Sequence, residues 1–264
     1  MQEIHVGIGG WNFPPWRGVF YPPTVTQAQE LAYASRQVTS IEINATFYGP
    51  QKPESFRKWR DQTPDGFVFA LKGPRFTTHR RALEETSESV LRFLGTGITE
   101  LGDKLGPILW QFPPTRRFEP AALRPFLEAL PPTHAGLPLR HAIEARHSSF
   151  ADAAWMALLH EHGVAHAIVE SDKHTLLADV TAPFIYVRLE RNAAEEAEGY
   201  AGGALDAWAG RLQRWAAGRE VPDPPCAGSA PANARRECFV YFIGGDKVRA
   251  PDAARAMLRR LGRV

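Results

Sequence analysis

The chain lacks the features that mark a secreted or membrane protein. It has two cysteines in 264 residues, Cys226 and Cys238, twelve positions apart. That is too few for a disulfide framework, and no zinc or redox motif has that spacing. No apolar run exceeds the seven residues Ala153 to Leu159, whereas a membrane-spanning helix needs about 20. Neither sign of charge dominates, with 31 Lys and Arg against 29 Asp and Glu for a net +2. Such a balance gives little global drive toward nucleic acid. The start, Met1-Gln2-Glu3-Ile4-His5, has no basic segment and no long apolar segment, so a cytoplasmic protein with reduced thiols is expected. A dinucleotide fingerprint is also missing. Gly7-Ile8-Gly9-Gly10-Trp11-Asn12 places Asn12 where the third glycine belongs, and Pro14-Pro15 follow.

What is present is a globular composition, 44% hydrophobic and 23% charged, enough to bury a large core. Eight short apolar runs recur along the chain: Ile4–Gly9, Ser40–Asn44, Phe67–Lys72, Ile108–Gln111, His141–Arg146, Ala165–Asp172, Phe184–Glu190 and Cys238–Ile243. Several are apolar on both faces, as buried parallel strands are. Helical segments fall between them. They are expected over Thr26 to Arg36, from Pro53, over Glu85 to Leu101, from Glu119-Pro120 to Leu130, over Asp152 to His162 with Gly163 as cap, over Leu205 to Ala217, and over Asp252 to Leu261. Alternating strand and helix predicts parallel strands joined by right-handed crossovers. Eight repeats in this length fit an α/β fold, a single (β/α)8 TIM-like barrel over residues 1–264. It is irregular between strands six and seven, where Asp172 to Phe184 is too short for a helix and two turns. The Pro- and Gly-rich stretch Val221–Pro231 reads as a surface loop.

In such a barrel alternate side chains face inward, and active sites lie at the strand C-terminal ends. Five strands end in charges or amides. Glu42 and Asn44 share a face of strand two, opposite Ile41 and Ile43. Lys72 ends strand three beside Ala70, and Gln111 ends strand four beside Leu109. Glu144 and Arg146 share a face of strand five, with His147 next. Tyr186 and Arg188 share a face of strand seven, with Glu190 following. Buried without partners such groups are costly, so they pair or bind something. A structural ion-pair network of Glu42, Lys72, Glu144 and Arg188 is the plain alternative. Trp11 and Trp16, with Phe47 and Tyr48, are expected to form an aromatic rim. Trp59, Trp110, Trp155, Trp208 and Trp215 are expected in the core. Arg75 to Arg81 is either an anion-binding loop or a solvated one.

The motifs in order are distinctive. Gly7-x-Gly9-Gly10-Trp11 precedes Trp16-Arg17-Gly18-Val19-Phe20-Tyr21-Pro22. Glu42-Ile43-Asn44-Ala45-Thr46-Phe47-Tyr48 and Phe69-Ala70-Leu71-Lys72-Gly73-Pro74-Arg75-Phe76-Thr77-Thr78-His79 follow, then Leu101-Gly102-Asp103-Lys104-Leu105-Gly106-Pro107. Gln111-Phe112-Pro113-Pro114, Ala142-Ile143-Glu144-Ala145-Arg146-His147 and Tyr186-Val187-Arg188-Leu189 complete the series. Together they resemble the domain of unknown function 72 family, the YecE-like proteins, over nearly the whole chain. The resemblance implies a TIM-barrel-like fold and supplies no reaction. It also implies a His-Gly-like pair where Glu190-Arg191 stand, Asn-Asn where Gly244-Gly245 stand, and a hydroxyl residue in place of Gly9.

The reading of the residues favours an enzyme doing acid/base chemistry, of hydrolase, lyase or isomerase type, on a small polar or anionic substrate. Glu42, Glu144 and Lys72 are the candidate catalytic groups. Trp11, Asn44, Tyr48, Gln111, Arg146, His147 and Arg188 are the candidate substrate-binding groups. A glycosidase is a disfavoured special case, because Glu42 and Glu144 are expected on opposite sides of the mouth. The alternatives are a nucleic-acid-binding protein or metal-dependent nuclease, and a metabolite-binding protein without turnover. No cofactor motif is evident. A carboxylate-bound Mg or Mn is the metal these residues would accept, and no membrane partner is expected.

Overall fold

A computed structural model describes residues 3–80, 83, 86–228 and 233–263. The barrel strands are β1 (Ile4–Gly9), β2 (Ser40–Ile43), β3 (Val68–Lys72), β4 (Leu105–Gln111), β5 (His141–Glu144), β6 (Ala165–Glu170), β7 (Phe184–Leu189) and β8 (Glu237–Phe242). Each pairs in parallel with its neighbours in sequence, and β8 closes on β1 with Ile4 opposite Cys238. All eight expected strands are present within a few residues of their expected bounds. No described helix is long and apolar enough to cross a membrane.

The period-two pattern separates two cores. Ile41, Ile43, Phe69, Leu71 and Trp110 point outward into the layer shared with the helices. Val68, Ala70, Leu109, Ala142, Tyr186 and Tyr241 fill the barrel interior. Small residues leave room for the two tyrosines: Ala167 is the register partner of Tyr186, and Gly7 that of Tyr241. Gly7 is required by this packing, because a Cβ there would lie 2.2 Å from the Ser40 carbonyl oxygen. Trp110, Trp155, Trp208 and Trp215 are buried as expected, and Trp59 is partly buried against the outer core.

The helices are α1 (Glu30–Ala34), α2 (Ala45–Tyr48), α3 (Pro53–Gln62), α4 (Arg75–Thr78), α5 (Ser87–Leu94), α6 (Pro120–Glu128), α7 (Ala153–Glu161), α8 (Gly202–Ala216) and α9 (Ala250–Arg260). Asp152 caps α7 by accepting from the Ala154 amide at 2.7 Å, and Gly163 follows it with φ 63°. The single helix expected to Leu101 is broken. α5 stops at Leu94 with Gly95 as its cap, and Gly97, at φ 99° against Pro53, starts a run of 3₁₀ turns over Ile98–Lys104. The expected start at Glu85 lies outside the described residues, as do Arg81 and the Pro231 end of the surface loop. A small hairpin, Thr133–His134 with Leu137–Pro138, was not anticipated; its turn is Ala135-Gly136, both at positive φ.

No helix joins β6 to β7, as the spacing required. The connecting loop returns along the barrel instead. Thr181 Oγ1 donates to the Val164 carbonyl at 2.6 Å, and Asp179 accepts from the amides of Ala227 and Gly228 at 2.9 and 2.7 Å. The second pair of bonds ties down the loop before β8.

Candidate functional site

Parity along the strands brings the charged residues together at the C-terminal mouth. Arg188, on β7, is 2% exposed and reaches the barrel axis. Its Nε donates to Glu42 Oε2 at 3.2 Å, its Nη2 to Glu42 Oε1 at 3.3 Å, and its Nη1 to Glu190 Oε1 at 3.1 Å and to Glu144 Oε2. One guanidinium therefore bridges the two carboxylates that the sequence placed on opposite sides of the mouth. Tyr186 donates to Glu42 Oε2 at 2.8 Å. Glu144 Oε1 accepts from Gln111 Nε2 at 2.8 Å and from Arg146 Nε at 2.5 Å. Beneath this layer Ser40 donates to the Val68 carbonyl at 2.7 Å, which leaves Tyr241 to donate to Ser40 Oγ at 2.8 Å.

The fields follow from this geometry. Burial alone would raise the Glu144 carboxyl, but Arg188 and Arg146 outweigh it and hold it down at about 2. Burial would lower Arg188, and Glu144, Glu42 and Glu190 raise it instead. Burial and the Glu42 charge push the Tyr186 phenol well up. Lys72 is different. Burial first, then the neighbouring Arg188, lowers its ammonium to about 8, and Glu42 and Glu144 only partly oppose this. Its Nζ sits 4.1 Å above the centre of the Phe47 ring. Among the described residues it makes no hydrogen bond, and no carboxylate lies within 4 Å.

Of the ten expected site residues, Glu42, Lys72, Gln111, Glu144, Arg146 and Arg188 gather in this cluster. Asn44 stands at its edge, with Nδ2 3.4 Å from the Glu42 carbonyl oxygen. Arg188 has committed four of its five N–H donors to three carboxylates, which leaves one Nη2 hydrogen. Arg146 donates through Nε, its Nη groups make no hydrogen bond among the described residues, and its side chain is 29% exposed. Three residues are elsewhere. Trp11 turns into the helix layer, edge-on to Trp59 at 5.3 Å. Tyr48 is 80% exposed, outside the mouth. His147 caps a turn, its Nδ1 accepting from the Ser149 amide at 3.1 Å. Trp16 is fully buried and donates to the Lys247 carbonyl, so the expected aromatic rim does not form.

Sequence reasoning did not assign a role to Tyr186 or Glu190, although both sit two positions from Arg188 on its face. It also missed Lys247, whose Nζ lies 4.6 Å over the Phe13 ring and whose ammonium burial lowers against an opposing pull from Glu42. Beside the charged centre, the loops after β2 and β3 frame a groove of about 750 Å³ lined in part by Phe47, Tyr48, Phe76 and Phe93. Among the described residues no three His, Cys, Asp or Glu are grouped to hold a metal. The three mouth glutamates turn to Arg188, which supplies the positive charge that a divalent ion would bring.

The departures from the family pattern are in contact. A Cβ at Gly244 would lie 2.6 Å from the Cβ of Glu190, and one at Gly245 would lie 2.1 Å from the Asn192 carbonyl oxygen. Asn192 Nδ2 donates to the Gly244 carbonyl at 2.7 Å. A side chain at 244 is excluded here by the Cβ and backbone of residue 190.

Comparison with known proteins agrees with this barrel. UPF0759 protein YecE of Escherichia coli (strain K12) is 31% identical over 176 residues, covering 64% of this chain and 59% of that protein. UPF0759 protein YunF of Bacillus subtilis (strain 168) is 28% identical over 116 residues, 42% of this chain and 40% of that protein. The matched stretch thus spans less than two thirds of either relative's length. A DUF72 family protein from Thermotoga maritima MSB8 superposes with a TM-score of 0.75 at 23% identity, covering 99% of this chain and all of that one. Another, from Enterococcus faecalis V583, gives 0.69 at 18% identity over 98% and 95%. These likenesses speak for the fold. A family model described as "Protein of unknown function DUF72" matches residues 5–264, and the chain belongs to that family.

Proposed function

We propose that the chain is an enzyme acting by proton transfer on a small anionic substrate at the barrel mouth, with Lys72 as the group that gains and loses the proton. The carrying observation is the contrast inside one charge cluster. Glu42, Glu144 and Arg188 satisfy one another, while Lys72 makes no hydrogen bond among the described residues and burial lowers its ammonium to about 8. A useful acid or base has its pKa near the working pH, which favours Lys72 over Glu144. The Nη groups of Arg146 suit a carboxylate or phosphate, by the paired donor geometry of a guanidinium. The carboxylates then act by holding Arg188 and Arg146 in place. The neighbouring groove offers room for the apolar part of a substrate.

The test is a thermal-shift series with phosphate, phosphorylated sugars, nucleotides and dicarboxylates. Small anions are expected to raise Tm in the wild type and not in Arg146→Ala. Lys72→Met is expected to keep the shift and lose turnover of whichever compound binds. If no anion stabilises the protein, or if Arg146→Ala responds like wild type, the proposal fails. Binding with no turnover in wild type would favour a metabolite-binding protein. A nucleic-acid partner is the second reading, supported by exposed Arg75, Arg117 and Lys173 on the loops after β3, β4 and β6. Salt-sensitive retention on DNA or heparin is its expected sign.

A further inference from the structure

The chain uses 25 arginines and only six lysines. Two of the six are buried, and they are in opposite states. Lys104 Nζ donates to the carbonyls of Arg60 and Thr63 at 2.8 and 2.7 Å and to Thr63 Oγ1 at 3.2 Å, a saturated structural ammonium. Lys72 has an aromatic face beneath it, cations Arg188 and Arg146 near it, and no acceptor. An ammonium kept only for charge would be better served by arginine, which this chain uses almost everywhere. An amine that must become neutral and nucleophilic needs lysine, desolvated and beside another cation.

We infer that Lys72 is a carbon nucleophile's anchor: its amine condenses with the carbonyl carbon of a substrate that also carries an acid group, held by Arg146. This rests on the reading of the mouth given above and adds covalent chemistry to it. The neutral amine adds to the carbonyl carbon, forming a C–N bond as the C=O π pair moves to oxygen. Protons pass to that oxygen, which leaves as water, and the nitrogen lone pair forms the iminium. In sum, ammonium and carbonyl give iminium and water with no net proton. The positive charge stays where Glu42 and Glu144 already offset it. The iminium then draws electrons from the adjacent carbon, so a proton or a carbon group can leave there. Hydrolysis restores the lysine.

The experiment traps the iminium. The chain of residues 1–264 is incubated with glyoxylate or pyruvate and sodium cyanoborohydride, and the adduct is located by peptide mass mapping. Labelling is expected at Lys72, roughly tenfold or more faster than at exposed Lys52, Lys58 and Lys173 at pH 7. It should rise with a midpoint near pH 8. Burial sets this midpoint first, then Arg188 on β7, Glu42 on β2, and Glu144 and Arg146 at the end of β5, with His79 after α4 also facing the amine. Lys72→Arg and Lys72→Met should lose that adduct, and Lys247→Arg should keep it. Equal labelling of the exposed lysines, or no adduct at Lys72, overturns the inference. If phosphate or dicarboxylates still stabilise the wild type through Arg146 while no adduct forms, only the covalent step falls. If neither occurs, both fall.

Discussion

Replacing Glu144 by Gln tests whether the mouth is held by charge or only by shape. Glutamine keeps the volume and one acceptor, so it imitates the protonated carboxyl. The wild-type carboxyl is held at about 2 in the fold against an ordinary 4.5. A gap of roughly 2.5 units at 1.36 kcal/mol per unit amounts to about 3 kcal/mol for a fully buried group. The sign follows from a depressed folded pKa. The stabilisation is complete above the unfolded value of 4.5 and is lost as pH falls toward 2. Glu144→Gln is therefore expected to cost about 3 kcal/mol at every pH from 8 to 6, and about half of that at pH 3. In thermal unfolding this is on the order of 2 °C per kcal/mol for a chain of this size. Urea midpoints at pH 8, 6 and 4, and at pH 3 in sucrose, give the profile. Glu161→Gln, in the exposed pair with Arg124, is the control and should leave the midpoint unchanged. A Glu144→Gln penalty below about 1 kcal/mol at pH 7, or one that does not shrink in acid, would refute the linkage reasoning.

Other outcomes follow from neighbouring groups. Lys72→Met should stabilise the protein at pH 7 by up to about 3 kcal/mol, because the fold holds this ammonium at about 8 instead of 10.5. That gain should fade as pH rises from 8 to 10.5 and the wild-type amine no longer carries its penalty; urea midpoints across that range measure it. Burial lowers His141 and His166 to about 4 each. In the unfolded chain they take protons from pH 6.5 downward that the fold refuses, so stability should fall between pH 6.5 and 4, by up to about 3 kcal/mol per histidine. An acid titration flat to pH 4.5 would contradict this. Gly73→Ala would put a Cβ 2.3 Å from the ring of buried Trp110, and a loss of about 3 kcal/mol in denaturant unfolding is expected.

The strands were legible because a buried parallel strand writes itself as a short apolar run, and Ile41-Glu42-Ile43-Asn44 shows its inward face by parity alone. Parity also placed Lys72, Gln111, Glu144, Arg146 and Arg188 on one surface. It does not say who bonds whom. That Arg188 spends four of its five donors on glutamates depends on β2, β5 and β7 all reaching the axis, which is a property of barrel closure. Loop residues were harder. Trp11 and His147 follow strands directly, yet the turns after them aim one ring at Trp59 and tie the other to Ser149. The four-residue helices α2 and α4 are too short to show a helical period. Gly97 starts a separate run of 3₁₀ turns after α5, and its left-handed turn is set by tertiary contact with Pro53.

The contact between Glu190 and Gly244 makes two distant stretches of chain answer to each other. A side chain at 244 is excluded because of what stands at 190, and Glu190 helps hold Arg188. Gly244→Asn should disturb the Arg188 cluster, and Glu190→Gly should not rescue it, because the Cα and carbonyl oxygen of residue 190 would still lie 2.9 Å from the new Cβ. The loops after β7 and β8 thus behave as one exchangeable part. A chimera that swaps one without the other should misfold at the mouth, whereas swapping both moves the third carboxylate out of the site as a unit.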